Sequence, residues 1–167
     1  MGRSSKGFTL IELVVTITIL VIFISIVSLS VYPSYSANAK RCAAQTDALI
    51  SKCRLGVLSR TGNVHLTIHS DLNGNIIGDY YEADSTPIST DTLADKKVSM
   101  AYTLKNTDGT SRTTNISAAP LVLSFNRSTG EFKAQSDGSY CTAITISCGG
   151  KTYTITLVPS TGTHTTS

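Results

Sequence analysis

A chain of 167 residues and 17.7 kDa, 41% hydrophobic and only 15% charged, has material for one domain and little for a second. Its formal charge of +3 includes Arg3 and Lys6 at the very start, so the remainder is close to neutral and a basic nucleic-acid-binding surface is not indicated. Ser and Thr number 46, Trp is absent, and the positive mean hydropathy of +0.10 comes from one run near the N-terminus, a distribution that argues against a helical bundle and for a polar, strand-rich body.

That run, Phe8 to Val31, holds a single charge, Glu12, among Val, Ile, Leu, Phe, Thr and Ser. As a helix of about 1.5 Å per residue it would reach about 36 Å, enough to cross a hydrocarbon core of about 30 Å. Lipid offers the backbone no other hydrogen-bond partners, so the helical state is expected despite the β-branched composition, and the Thr and Ser hydroxyls can bond carbonyls one turn earlier. The preceding Met1-Gly2-Arg3-Ser4-Ser5-Lys6-Gly7 carries two cations and no anion, which predicts a cytoplasmic N-terminus and an external C-terminal body. Glu12 is out of place in such a segment, since a carboxylate within an apolar span costs about 2.5 to 3.5 kcal/mol on insertion scales. It calls for a compensating cation, and an ammonium freed by cutting the chain before Phe8 would supply one. A conventional signal peptide ending at Ala37-Asn38-Ala39 is the competing reading, but its apolar core would far exceed the usual length of about 7 to 15 residues.

The ordered segment Lys6-Gly7-Phe8-Thr9-Leu10-Ile11-Glu12-Leu13 resembles the processing and methylation site of type IV prepilins and their pseudopilin relatives. The resemblance implies cleavage between Gly7 and Phe8, methylation of the new terminus at Phe8, and pairing of Glu12 with the terminal amine of a neighbouring subunit in a filament core. It implies as partners identical or related pilin subunits, a prepilin peptidase/methyltransferase and the assembly machinery of the inner or cytoplasmic membrane. No nucleic-acid partner is expected. The precursor would reside in the cytoplasmic membrane, and the assembled form in a cell-surface or periplasm-spanning filament. Many members carry a helix-loosening proline near the position of Leu29, and this chain has none there.

Beyond the apolar run, Pro33 predicts a kink, after which Ala43, Ala44, Ala48, Leu49, Ile50, Leu55 and Leu58 continue a helical pattern to Ser59. Arg60-Thr61-Gly62-Asn63 is a stop. Val64, Leu66 and Ile68 alternate with polar residues as a short strand, Asp71 to Lys97 has the composition of a long connecting loop, and Val98, Met100, Tyr102 and Leu104 give the clearest strand alternation. Leu121 to Phe125 and Glu131 to Ala134 predict one hairpin, Tyr140 to Ser147 and Thr152 to Val158 a second, and the tail from Ser160 reads as loose. The expected fold class is therefore α+β and pilin-like: a leader over 1–7, a membrane and filament-core helix over 8–35, and a head over 36–167 in which the kinked helix packs on an antiparallel sheet of about four strands.

Four cysteines without a CxxC pair or zinc spacing read as disulfides, and so as an oxidising compartment. Cys42 and Cys53 lie about 16 Å apart along a helix and cannot bond each other. Helix-to-sheet pairing with Cys141 and Cys148 is favoured, and since the odd separation of these two turns them to opposite sides of a straight strand, a bulge or bend is needed for it; Cys141 with Cys148, with the helix broken near Cys42, is the alternative. Asp71, Asn73, Asn75, Asp79 and Glu82 sit at calcium-loop spacing, but Ile76 replaces the turn glycine, so an ion site competes with a plain polar turn. No resident cofactor is otherwise expected. His65 and His69 alternate along a strand and predict no zinc site, and Lys40, Arg41, Lys52, Arg54 and Arg60 form a basic helix face of solvated or intersubunit character. No nucleophile, P-loop or dinucleotide motif appears, so the expected role is structural rather than enzymatic. A scarce minor pilin or pseudopilin whose head acts as a binding module at a tip is the alternative, and an anchored enzyme comes third. The sequons Asn115-Ile116-Ser117 and Asn126-Arg127-Ser128 decide nothing without a host.

Overall fold

The computed structural model describes residues 9–83 and 85–167, and for 26–36 the backbone alone. Helical backbone is assigned over Leu10–Ser59 (α1), and the chain divides into two compact units, Met1–Ser34 and Tyr35–Ser167, each taken by itself below. The kink expected at Pro33 falls in the stretch whose side chains lie outside the described residues.

In the second unit α1 presents a buried stripe of Ala39, Cys42, Ala43, Thr46, Leu49, Ile50, Cys53 and Val57, the three-and-four spacing of one helix face. Thr46 is tolerated at full burial because its Oγ1 donates to the Cys42 carbonyl at 2.8 Å.

The strands are β1 (His65–Ser70), β2 (Ile76–Tyr81), β3 (Ser89–Ala94), β4 (Ser99–Lys105), β5 (Ser111–Asn115), β6 (Leu121–Ser124), β7 (Tyr140–Cys148), β8 (Lys151–Val158) and β9 (Thr163–Thr166). They form two sheets, β3-β2-β1-β6 and β5-β4-β7-β8-β9, and all pairings are antiparallel. The inner faces supply Leu66, Ile68, Ile76, Tyr80, Leu121 and Leu123 from the first sheet, and Met100, Tyr102, Leu104, Ile144, Ile146, Ile155 and Leu157 from the second, all buried in one core with the helix stripe.

The α+β class agrees with the sequence reading, whereas a single sheet of about four strands is corrected to two sheets of four and five. The stretch from Asp71 to Lys97, expected as loop, contains β2 and β3. Gly78 and Asp79 hide the strand pattern for structural reasons. A Cβ on Gly78 would lie 2.7 Å from Leu49 Cδ1 and 3.3 Å from Leu93 Cδ1, so a side chain on the inner face there requires Leu49 to move. Asp79 takes the opposite face, where Thr90 donates to it at 2.6 Å. The tail expected to be loose ends in β9. The β7–β8 hairpin forms as expected, and the Leu121 hairpin closes through a bridge between Phe125 and Phe132, whose rings lie 4.4 Å apart.

Candidate functional site

Thr9 and Glu12 open α1 as a reciprocal cap. The Thr9 amide and hydroxyl both donate to Glu12 Oε2 at 2.9 Å, and the Glu12 amide donates back to Thr9 Oγ1 at 3.3 Å. Thr-x-x-Glu is the capping-box pattern, which satisfies amides that the first helical turn leaves without carbonyl partners and places a negative charge at the positive end of the helix dipole. The signal stands in the sequence as Thr9-Leu10-Ile11-Glu12, yet attention to the carboxylate as a lone charge in an apolar run misses it. The correction is partial: hydrogen-bond donors of its own chain hold the Glu12 carboxylate, but they leave its charge uncompensated. Both bonds end on Oε2, and no bond to Oε1 is made among the described residues.

The next turns repeat the hydroxyl theme. Thr16 donates to the Glu12 carbonyl at 2.7 Å, Thr18 to Val14 at 2.8 Å and Ser25 to Val21 at 2.7 Å, so these polar atoms are satisfied within the helix and the outward surface is apolar. Leu10, Ile11, Leu13, Val14, Val15, Ile17 and the large apolar residues from Ile19 to Ile24 are all exposed, down to 47% at the least exposed. The segment is therefore apolar around its full circumference, and covering these twelve side chains is worth on the order of tens of kcal/mol. Among the described residues no helix is long and apolar enough to cross a membrane. The span expected over Phe8 to Val31 runs into 26–31, and Gly7 and Phe8 themselves lie outside the described residues.

The other candidate positions are dispersed in the head. Asp71 caps its own turn: Oδ1 accepts the amides of Asn73 at 2.8 Å and Asn75 at 2.7 Å, and Oδ2 accepts the Asn75 side-chain amide at 2.9 Å. These bonds, the Asn75 side chain first, hold the Asp71 carboxyl below the usual aspartate range. Asp79 and Glu82 are not drawn to that turn. Asp79 sits along β2 between Thr90 and His69, whose Nδ1 is 3.6 Å from it, and Glu82, beyond the far end of β2, pairs with Arg60. Asp71, Asn73, Asn75, Asp79 and Glu82 therefore build a β1–β2 turn and two separate pairs instead of one calcium shell, and the described residues contain no cluster of three or more His, Cys, Asp or Glu able to hold a metal. His65 stacks on Tyr81 at 4.4 Å, and His164 lies against Asp47 at 3.3 Å.

The four cysteines, Cys42, Cys53, Cys141 and Cys148, are buried thiols with no disulfide among them. Burial pushes the Cys42 thiol up to about 11 and those of Cys53 and Cys141 up to about 12. A bulge lies between Cys141 and Cys148, although the helix-to-sheet bonds for which the spacing would have required one do not form. In the β4–β7 register Thr103 faces Ala143 and Leu104 faces Cys141, so Thr142 is the extra residue, and Cys141, Ile144, Ile146 and Cys148 all become buried. Of the basic helix residues, Lys52 bonds Ser89 at 2.9 Å and covers the Tyr80 ring at 4.6 Å, Arg54 donates to the Thr161 carbonyl at 2.9 Å, and Arg60 pairs with Glu82. These cations are committed to the head's own structure.

Residues 2–28 match the family described as the prokaryotic N-terminal methylation motif, the signature of prepilin-type segments of type IV pilins and pseudopilins. The motif supports a type IV pilin-like or pseudopilin protein and implies processing by a prepilin peptidase from a membrane-anchored precursor. No curated protein and no solved structure matches the chain.

Proposed function

We propose that the chain is a structural subunit of a type IV pilus or pilus-like filament. It is stored in the cytoplasmic membrane with its N-terminus inside, cleaved between Gly7 and Phe8, methylated on Phe8, and polymerised through its N-terminal helix. The methylation motif at 2–28 carries this reading. Two properties of the helix support it. Its exposed apolar circumference suits lipid before assembly and neighbouring helices afterwards, two surroundings of similar polarity. The Thr9 bonds hold the Glu12 carboxylate at the helix start through Oε2, close in sequence to the amine that cleavage creates, and among the described residues Oε1 has no bond. A neighbour's terminal amine reaching that oxygen turns two charges that are expensive in an apolar core into one hydrogen-bonded pair, and only one axial stagger brings them together.

Glu12→Ala tests the mechanism. The variant should be processed normally but enter filaments poorly, as read by the ratio of assembled to membrane-stored protein. Filaments formed at the parental level would contradict a register set by Glu12.

A further inference from the structure

The C-terminal strand β9, like β5 at the other edge of its sheet, gives no hydrophobic side chain to the core, and it bonds α1 as well as its neighbouring strand. Residues 159–167 contain no buried hydrophobic side chain, whereas the adjoining β8 anchors Ile155 and Leu157 in the core. Besides its backbone pairing to β8 and the Phe132 amide, which donates to the Pro159 carbonyl at 3.0 Å, the segment is held by a polar line along one face of α1. Asp47, Ser51 and Arg54 stand four and three residues apart, as neighbours on a helix surface do. Thr166 Oγ1 donates to Asp47 Oδ1 at 3.0 Å, His164 Nε2 lies 3.3 Å from both Asp47 Oδ1 and Ser51 Oγ, and Arg54 Nη2 donates to the Thr161 carbonyl at 2.9 Å.

This latch is incompletely satisfied. His164 Nδ1 and Arg54 Nε are buried with no partner among the described residues, a penalty of the closed state that water would remove on opening. The turn before β9 is tight as well. Gly162 adopts φ of +64°, and a Cβ there would fall 1.7 Å from the Gly130 carbonyl oxygen, so the turn closes only with glycine.

We propose that residues 159–167 form a strap that opens locally while the remainder of the head stays folded, turning β8 into an edge strand and uncovering the Asp47–Ser51–Arg54 face of α1. Closed, the strap covers the backbone donors and acceptors of β8, the groups through which an exposed edge pairs with another chain. Open, it withdraws no buried hydrophobic side chain of its own from the core, so the free energy of opening lies well below that of global unfolding.

Amide hydrogen exchange on the full chain in detergent tests this within one strand. Thr154 and Ser167 exchange two backbone hydrogen bonds, at 2.9 and 3.0 Å. By the alternation of antiparallel pairing the Thr154 and Thr156 amides face β9, while those of Ile155 and Leu157 face β7. The strap predicts that Thr154 and Thr156 exchange at least about tenfold faster than Ile155 and Leu157. Asp47→Ala, and more conservatively Thr166→Val, should speed the first pair by a further factor of about three to ten and leave the second pair unchanged. Equal protection of all four amides, or a common acceleration of all four in the variants, would show that β9 leaves only when the whole sheet unfolds and would overturn the proposal.

Discussion

The contact between Gly78 and Leu49 offers a quantitative check on how α1 seats on the first sheet. Gly78→Ala places a methyl 2.7 Å from Leu49 Cδ1 and 3.3 Å from Leu93 Cδ1, closer than carbon atoms approach, so Leu49 must change rotamer or the helix must lift. Overpacking of this kind costs about 1–3 kcal/mol, and the lower chain entropy of alanine in the unfolded state returns about 0.4–1 kcal/mol, leaving a net loss of about 1–2 kcal/mol. Leu49→Ala alone removes a buried side chain and should cost about 2–4 kcal/mol. In the double variant the added methyl occupies space that the leucine has vacated, so the combined loss should fall short of the sum by about 1–2 kcal/mol. The four proteins are compared by denaturant unfolding, with the near-ultraviolet tyrosine signal reporting the head. Strict additivity, within about 0.3 kcal/mol, would refute a helix–sheet contact at this position.

Other expectations follow from the polar turns and the thiols. The Asp71 carboxyl titrates lower in the folded chain than in the unfolded one, so its stabilisation is complete above its unfolded pKa and is lost as pH falls through the folded value; Asp71→Asn should flatten the stability–pH curve below about pH 4, and an unchanged curve would exclude the turn as its source. With Cys53 and Cys141 pushed up to about 12 and all four sulfurs buried, iodoacetamide at pH 8 should label the folded protein slowly and the denatured protein quickly at four sites, counted by mass. Protein from its native host that stays unlabelled after denaturation, but labels fully after reduction, would instead carry the disulfides that the even cysteine number suggested. Millimolar calcium should leave the melting temperature unchanged, because Asp79 and Glu82 bond elsewhere and do not join Asp71; a rise of several degrees would reinstate the ion loop.

What the sequence revealed depended on whether a pattern was local. The β4 alternation and the β7–β8 hairpin follow from periodicity over a few residues, and both are present; of the helical pattern read from Ala43 to Leu58, only Ala43, Leu49 and Ile50 are buried, while Ala44, Ala48, Leu55 and Leu58 are exposed and Cys42, Thr46, Cys53 and Val57 complete the stripe. The odd cysteine spacing called for a bulge only on the assumption that both thiols pair with the helix, and the bulge at Thr142 forms without those bonds. Patterns that depended on distant partners were unreadable. Gly78 and Asp79 look like loop residues until Leu49 is seen above one and Thr90 beside the other. β9, with four residues and no apolar side chain, has no periodic signal and exists only because β8 and the Asp47 line of α1 receive it. At the N-terminus the Thr9–Glu12 cap was fully legible as a four-residue motif. The apolar neighbours mask it, because an acidic residue among Ile, Leu and Val points first to burial and only then to hydrogen bonding.

Mass spectrometry of the N-terminal peptide from protein isolated out of its own cells bears most directly on the filament-subunit reading. A chain that starts at Phe8 with one methyl group on its amine is the predicted result. A chain that still starts at Met1, or one that starts after Ala39 and so lacks Glu12 altogether, would contradict it.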